Sequence, residues 1–143
     1  MSTTLYLAFE RKIPQVNPNE SDRVLLAELI AEEKRLAHVA GKLKVRSLGD
    51  FLSYDPKLLA GYIDDPDELK AAMGAAKPLE WFDPAEAIKS VRAFAKHFES
   101  RPSDLPAEVR EYADELLEEL NDVEAILEKA IEKGVRFRSW IGA

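Results

Sequence analysis

Apolar positions repeat with two periods along this chain. Between Thr4 and Glu10, Leu5, Leu7 and Phe9 alternate with Thr4, Tyr6 and Ala8. Period two marks a strand with one buried face. Val135–Ile141 alternates likewise, with Val135, Phe137 and Ile141 on one face and Arg136, Arg138 and Trp140 on the other. The intervening pattern is helical. Leu25, Leu29, Leu36, Val39 and Leu43 fall near one face of a helix predicted to run to about Ala40, with Gly41 as its stop. Ile88, Val91, Ala95 and Phe98 form a second stripe. Val109, Tyr112, Leu116, Leu120, Val123, Leu127 and Ala130 form a third, roughly 80° wide, on the longest predicted helix, which Gly134 ends.

Helix starts are written in a repeated signal. Asn17-Pro18-Asn19-Glu20, Asp65-Pro66-Asp67-Glu68 and Asp83-Pro84-Ala85-Glu86 each place a capping side chain before Pro, with Glu three residues after the cap. The cap accepts a free helix N–H, and Pro gives up an N–H that would be unpaired there anyway. The Glu reaches back toward the cap and meets the positive end of the helix dipole. Helices are therefore predicted to begin within two residues of Pro18, Pro66 and Pro84, the second ending near Gly74. Asp55-Pro56 is a partial copy, predicted to open a short helix through about Tyr62. The intervals between copies differ, so this is no structural repeat.

Residues 44–54 carry no clear period. Lys77–Phe82 reads as extended, and Leu79–Phe82 is a candidate third strand. An isolated strand leaves its backbone groups unpaired, so the terminal strands are expected to pair with each other. The expected fold is α+β and mainly helical: one domain over residues 1–143, four to five helices, over half of the residues helical, and a small sheet formed by the N- and C-terminal strands.

Composition narrows the function. With 46% apolar and 33% charged residues the chain suits a folded domain. The lack of cysteine removes disulfides, thiolate metal sites and cysteine nucleophiles. Neither a leader pattern nor an apolar run of membrane-spanning length is visible, so a cytoplasmic location and no membrane partner are expected. The formal charge is −7, and it is uneven. Residues 104–132 hold eleven carboxylates against Arg110 and Lys129. Nucleic acid is a poor partner for such a chain.

Catalytic patterns are missing. His38 and His97 form no metal-ligand spacing, and each suits a structural place near a helix C-terminus. No nucleophile-elbow, phosphate-loop or dinucleotide motif occurs. Asp64–Glu68 is the densest acidic run, and capping explains it better than calcium. No cofactor or metal is expected. On the longest helix, Glu111, Asp114, Glu115, Glu118 and Asp122 share a stripe roughly 100° wide, away from the apolar one. Such a stripe is either a solvated face or a docking surface for a basic protein. Phe51, Tyr54, Tyr62, Trp81 and Phe82 are candidates for an aromatic-lined pocket.

Phe82-Asp83-Pro84-Ala85-Glu86 and Ala130-Ile131-Glu132-Lys133-Gly134-Val135 resemble, in order and context, segments of small bacterial proteins. These are the YfbM-like family of unknown function and families found as immunity partners of polymorphic toxins. The resemblance covers mainly residues 79–141. The chain is shorter than the YfbM-like pattern and matches it poorly between Gly41 and Lys77. It implies no catalytic residues. The expected function is a protein-interaction domain without chemistry, in its sharpest form an immunity protein that neutralises a basic toxin through the acidic helix. The alternatives are a small-molecule or regulatory binding domain using the aromatic pocket and, third, an unrecognised enzyme.

Overall fold

The computed structural model describes residues 3–55, 64–75 and 78–142. The helix expected after Asp55-Pro56, and Tyr62 with it, lies outside them. The described elements are β1 (Thr4–Phe9), α1 (Val24–Ala31), α2 (Glu33–Leu43), α3 (Pro66–Ala75), α4 (Pro84–Ser100), α5 (Ala107–Arg110), α6 (Ala113–Lys133) and β2 (Phe137–Gly142). Short 3-10 turns lie at Leu48–Phe51 and Pro102–Asp104. The fold is α+β and mostly helical, with six helices among the described residues.

The two terminal strands pair with each other, antiparallel, from Thr4 opposite Gly142 to Phe9 opposite Phe137. One face of this ribbon carries Leu5, Leu7 and Phe137 into the core, where α4 and α6 pack together with α1. Leu79–Phe82 does not form a third strand. It contributes a single bridge, Phe82 N–H to Phe137 O at 2.7 Å and Phe137 N–H to Phe82 O at 3.0 Å. Ser53 N–H adds a bond to Ser139 O at 2.8 Å on the same edge. The outer edge of β1 is closed by side chains. Asn19 accepts from Leu7 N–H and donates to Leu7 O, both at 2.9 Å, standing in for a neighbouring strand. Unpaired edges template aggregation, and here both edges are blunted by irregular chain.

Two of the three capping signals start helices where expected, at Pro66 and Pro84. The first does not: α1 begins at Val24. The cap bond itself forms in all three, from the N–H two residues on, at 3.0 Å for Asn17 and 2.9 Å for Asp65 and Asp83. At Asn17 the turn then ends, because Asn19 is taken by β1 and Glu20–Asp22 offer nothing to bury.

The helix expected to run to Ala40 is broken at Glu32, whose ψ of 60° is not helical. Ile30 and Leu36 would lie roughly 120° apart on an unbroken helix, and the bend returns both to the core. Gly41 is not the stop. The helix ends at Lys44, which takes the left-handed conformation with φ 58°, while Val45 N–H returns to Ala40 O at 3.1 Å. Val45 packs on the core, and that contact sets the end. Gly134 ends α6 by the same device, with φ 63° and Val135 N–H bonded to Ala130 O at 2.9 Å. The longest predicted helix is interrupted at Glu111–Tyr112, and Tyr112 is 46% exposed rather than part of the buried stripe.

Candidate functional site

The acidic segment separates into carboxylates that hold the fold and carboxylates that do not. Asp122, expected in the outward stripe, is 3.0 Å from Nε of Arg23, a side chain 1% exposed. The same guanidinium donates to Leu5 O at 2.8 Å and to Pro18 O. Glu119 accepts from the N–H groups of Leu26 (2.9 Å) and Leu25 (3.4 Å). It thereby caps α1, whose own N-cap, Arg23, makes no side-chain cap bond. Burial pushes the Glu119 carboxyl above its ordinary value, against the opposing pull of those two N–H groups. Glu124 and Glu128 pair with Arg92 of α4 at 2.6 and 3.0 Å. Asp104 meets His97 at 2.8 Å.

Glu132 lies 3.8 Å from Lys129. Glu108, Glu111, Asp114, Glu115 and Glu118 remain. All five are exposed, and none forms an ion pair within the described residues. Arg110, the basic residue nearest to them in sequence, turns its guanidinium to the carbonyls of Ser103 and Leu105 at 3.1 and 3.0 Å. Five unneutralised carboxylates thus stand on α5 and the first turns of α6, with the exposed Tyr112 between them in sequence.

The aromatic candidates are divided. Phe51 and Phe82 are core residues, with ring centroids 5.6 Å apart and 5.9 and 6.3 Å from Phe137. Phe51 borders a void of about 30 Å³, far below the ~300 Å³ at which ligand pockets begin. Tyr54 is 51% exposed, and its hydroxyl accepts from Ile141 N–H at 3.4 Å. Trp81 is half-buried, with the Arg138 guanidinium 5.6 Å from its ring.

On the outer face of the ribbon, Arg136 forms a two-pronged pair with Glu10, whose carboxyl is held below its ordinary value mainly by that hydrogen bond. Arg138 is buried against Trp140 at 4.4 Å and donates to Ser53 O at 2.9 Å. Tyr6 stacks on the same Trp140 at 5.4 Å. These groups cover the sheet, as aliphatic stems and rings do. The acidic run at Asp64–Glu68 caps a helix, with Asp65 accepting from Asp67 N–H. Among the described residues, no group of His, Asp and Glu has metal-holding geometry, and no helix is long and apolar enough to cross a membrane.

Sequence spacing reveals the stripe but not its division. Arg23 and Glu119 are the structural residues it missed. A lone Arg in a polar stretch and one Glu among eleven carboxylates carry no local sign of meeting residues far away in the chain.

Fold and surface together define a mainly helical α+β domain with an unpaired acidic face. The chain matches no family model, no curated protein and no solved structure.

Proposed function

We propose that this chain is a protein-interaction domain that performs no chemistry and docks a basic protein on Glu111, Asp114, Glu115 and Glu118. The supporting observation is the division of the acidic segment. Asp122, Glu124, Glu128 and Glu119 neutralise Arg23, Arg92 and the start of α1, while these four carboxylates, and Glu108 beside them in sequence, neutralise nothing within the described fold. A single-sign field of this kind steers an oppositely charged partner and speeds its association. In the sharpest form of the proposal, the chain is an immunity protein and its partner a basic toxin encoded beside it. The terminal strand, the Pro84 helix start and the long helix ending at Gly134 stand in the order that carries the resemblance to immunity partners.

The test is capture of the partner by the wild-type chain and by the triple reversal E111K/E115K/E118K, at low and at high salt. A basic protein retained by the wild type at low salt, and lost on reversal or at high salt, is the expected result. Its gene is expected next to that of this chain. Equal capture by both proteins, insensitive to salt, would reject docking on this face.

A further inference from the structure

We propose that the groove beside Phe9, the last residue of β1, binds a short extended peptide in which an apolar residue is flanked by carboxylates. Register shows where the edge of β1 is open. Glu10 N–H bonds to Arg136 O at 2.9 Å, and Phe137 exchanges its backbone bonds with Phe82 rather than with Phe9. Phe9 is therefore a non-hydrogen-bonded partner of Phe137. Its N–H and C=O point away from β2, as do those of Leu5 and Leu7. At those two residues the edge is closed. Leu5 N–H bonds to Arg23 O at 3.2 Å, Leu5 O accepts from the Arg23 guanidinium, and Asn19 serves both groups of Leu7. Closure stops there: neither backbone group of Phe9 has a partner among the described residues.

Phe9 lies in an open groove of about 480 Å³, with Lys12, Ile13, Val16, Pro18 and Trp140 among its walls. The loop that walls it is anchored. Ile13 is 2% exposed and packs with Ala130 and Val135, and Val16 N–H returns to Ile13 O at 3.3 Å across the left-handed Gln15. Lys12 is the one charged residue lining the groove. It is exposed and forms no ion pair among the described residues.

An open N–H and C=O on one strand residue are what an incoming antiparallel strand completes, with two bonds to a single residue. Side chains of the incoming segment alternate between faces. The residue opposite Phe9 shares its face, where Val16 packs with it around Ile13, and an apolar side chain suits that place. Its neighbours lie on the face of Ala8 and Trp140, and a carboxylate there answers the unpaired Lys12. Asn19 occupies the edge at Leu7, so pairing ends after one bridge and the segment is short. The acidic face of α5 and α6 takes no part in this site.

The experiment is an NMR titration of the amide resonances of the full chain with three peptides. They are acetyl-Glu-Val-Glu-amide, its Lys-Val-Lys counterpart, and the Glu-Val-Glu peptide N-methylated at Val. The first is expected to shift the Phe9 amide and residues 12–16 saturably at millimolar concentration. N-methylation removes the donor to Phe9 O and is expected to weaken binding roughly fivefold or more, the factor that one neutral hydrogen bond is worth. The Lys-Val-Lys peptide is expected to give no saturable response. K12E is expected to abolish the response to Glu-Val-Glu with the spectrum of the fold retained. No saturable shift at Phe9, equal binding of the N-methylated peptide, equal binding of the Lys-Val-Lys peptide, or undiminished binding by K12E would each overturn the assignment.

Discussion

Nε of Arg23 lies 3.0 Å from Oδ2 of Asp122, tying the residue that precedes α1 to the middle of the longest helix. Arg23 also donates to Leu5 O and Pro18 O, and its own N–H goes to Thr4 Oγ1 at 2.7 Å. One buried cation thus holds β1, the 17–19 turn, α1 and α6 in register. Removing one partner of a buried pair is expensive, because the groups left behind stay desolvated. Arg23→Ala should destabilise the protein by about 3–5 kcal/mol. Asp122→Asn should cost less, about 1–2 kcal/mol, because Asp122 is partly exposed and the amide oxygen still accepts. Urea denaturation decides: a smaller loss for Arg23→Ala than for Asp122→Asn would remove Arg23 from this role.

Asn19 closes the outer edge of β1 with two hydrogen bonds to Leu7. Asn19→Ala should cost about 1–3 kcal/mol and promote aggregation, because the edge is then open for pairing. Asn17→Ala, which loses one exposed turn bond, should cost less. Light scattering during thermal unfolding separates the two, and equal behaviour would deny Asn19 its part in the sheet.

Glu119 supplies the pH dependence. Its folded-state value is raised above that of the unfolded chain, mainly by burial. A raised carboxyl binds its proton more tightly when folded. Its contribution to stability is therefore full below the unfolded value of about 4.3 and is lost as pH rises through the folded value. Glu119→Gln keeps an acceptor for the α1 N–H groups without the charge. Relative to this variant, the wild type should lose stability as pH goes from about 4 to about 7. Denaturation at both pH values measures the difference, and a wild type that gains on the variant with rising pH would contradict the burial.

Residues 135–143 carry β2 and the partners of Leu5, Leu7, Ser53 and Phe82. Deleting them should unfold the protein or make it aggregate, since Phe137 leaves the Phe51–Phe82 cluster and the β1–β2 ladder is lost together with the bridges to Leu52 and Phe82. Circular dichroism and a melting temperature equal to those of the full chain would refute the sheet as a structural requirement.

What could be read ahead of the fold depended on how local its cause was. Alternation at 4–9 and 135–141 was enough to pair the strands, because neither segment had another suitable partner. Asp83 began a helix whose following turns carry Ala87, Ile88 and Val91 into the core; Asp65 began one that stays mostly exposed, with the local cap and helix-forming residues behind it. Asn17 makes the same first bond and starts none, because a strand far off in space takes Asn19. Glu32 and Lys44 were hidden by an equivalent cause: a bend and a helix end set by which side chains the core accepts. At the acidic face, Glu111, Asp114, Glu115 and Glu118 were recognisable by spacing. Asp122 was not separable from them, since its cation lies in another part of the chain. Phe51 and Phe82 looked like pocket walls because aromatic composition is the same for a ligand site and for a core.

The pairing of Thr4 with Gly142 has a consequence for synthesis. Leu5 and Leu7 are made before any of the described helices, and the strand that covers their backbone is made after them. While those helices are synthesised the nascent chain carries an apolar half-ribbon whose mate does not yet exist. The helices can form as they emerge, but the sheet must wait for Phe137–Gly142, when contacts between residues more than a hundred positions apart close the fold. Side-chain closure of β1 by Asn19 and Arg23, both made soon after that strand, guards one of its edges through this interval.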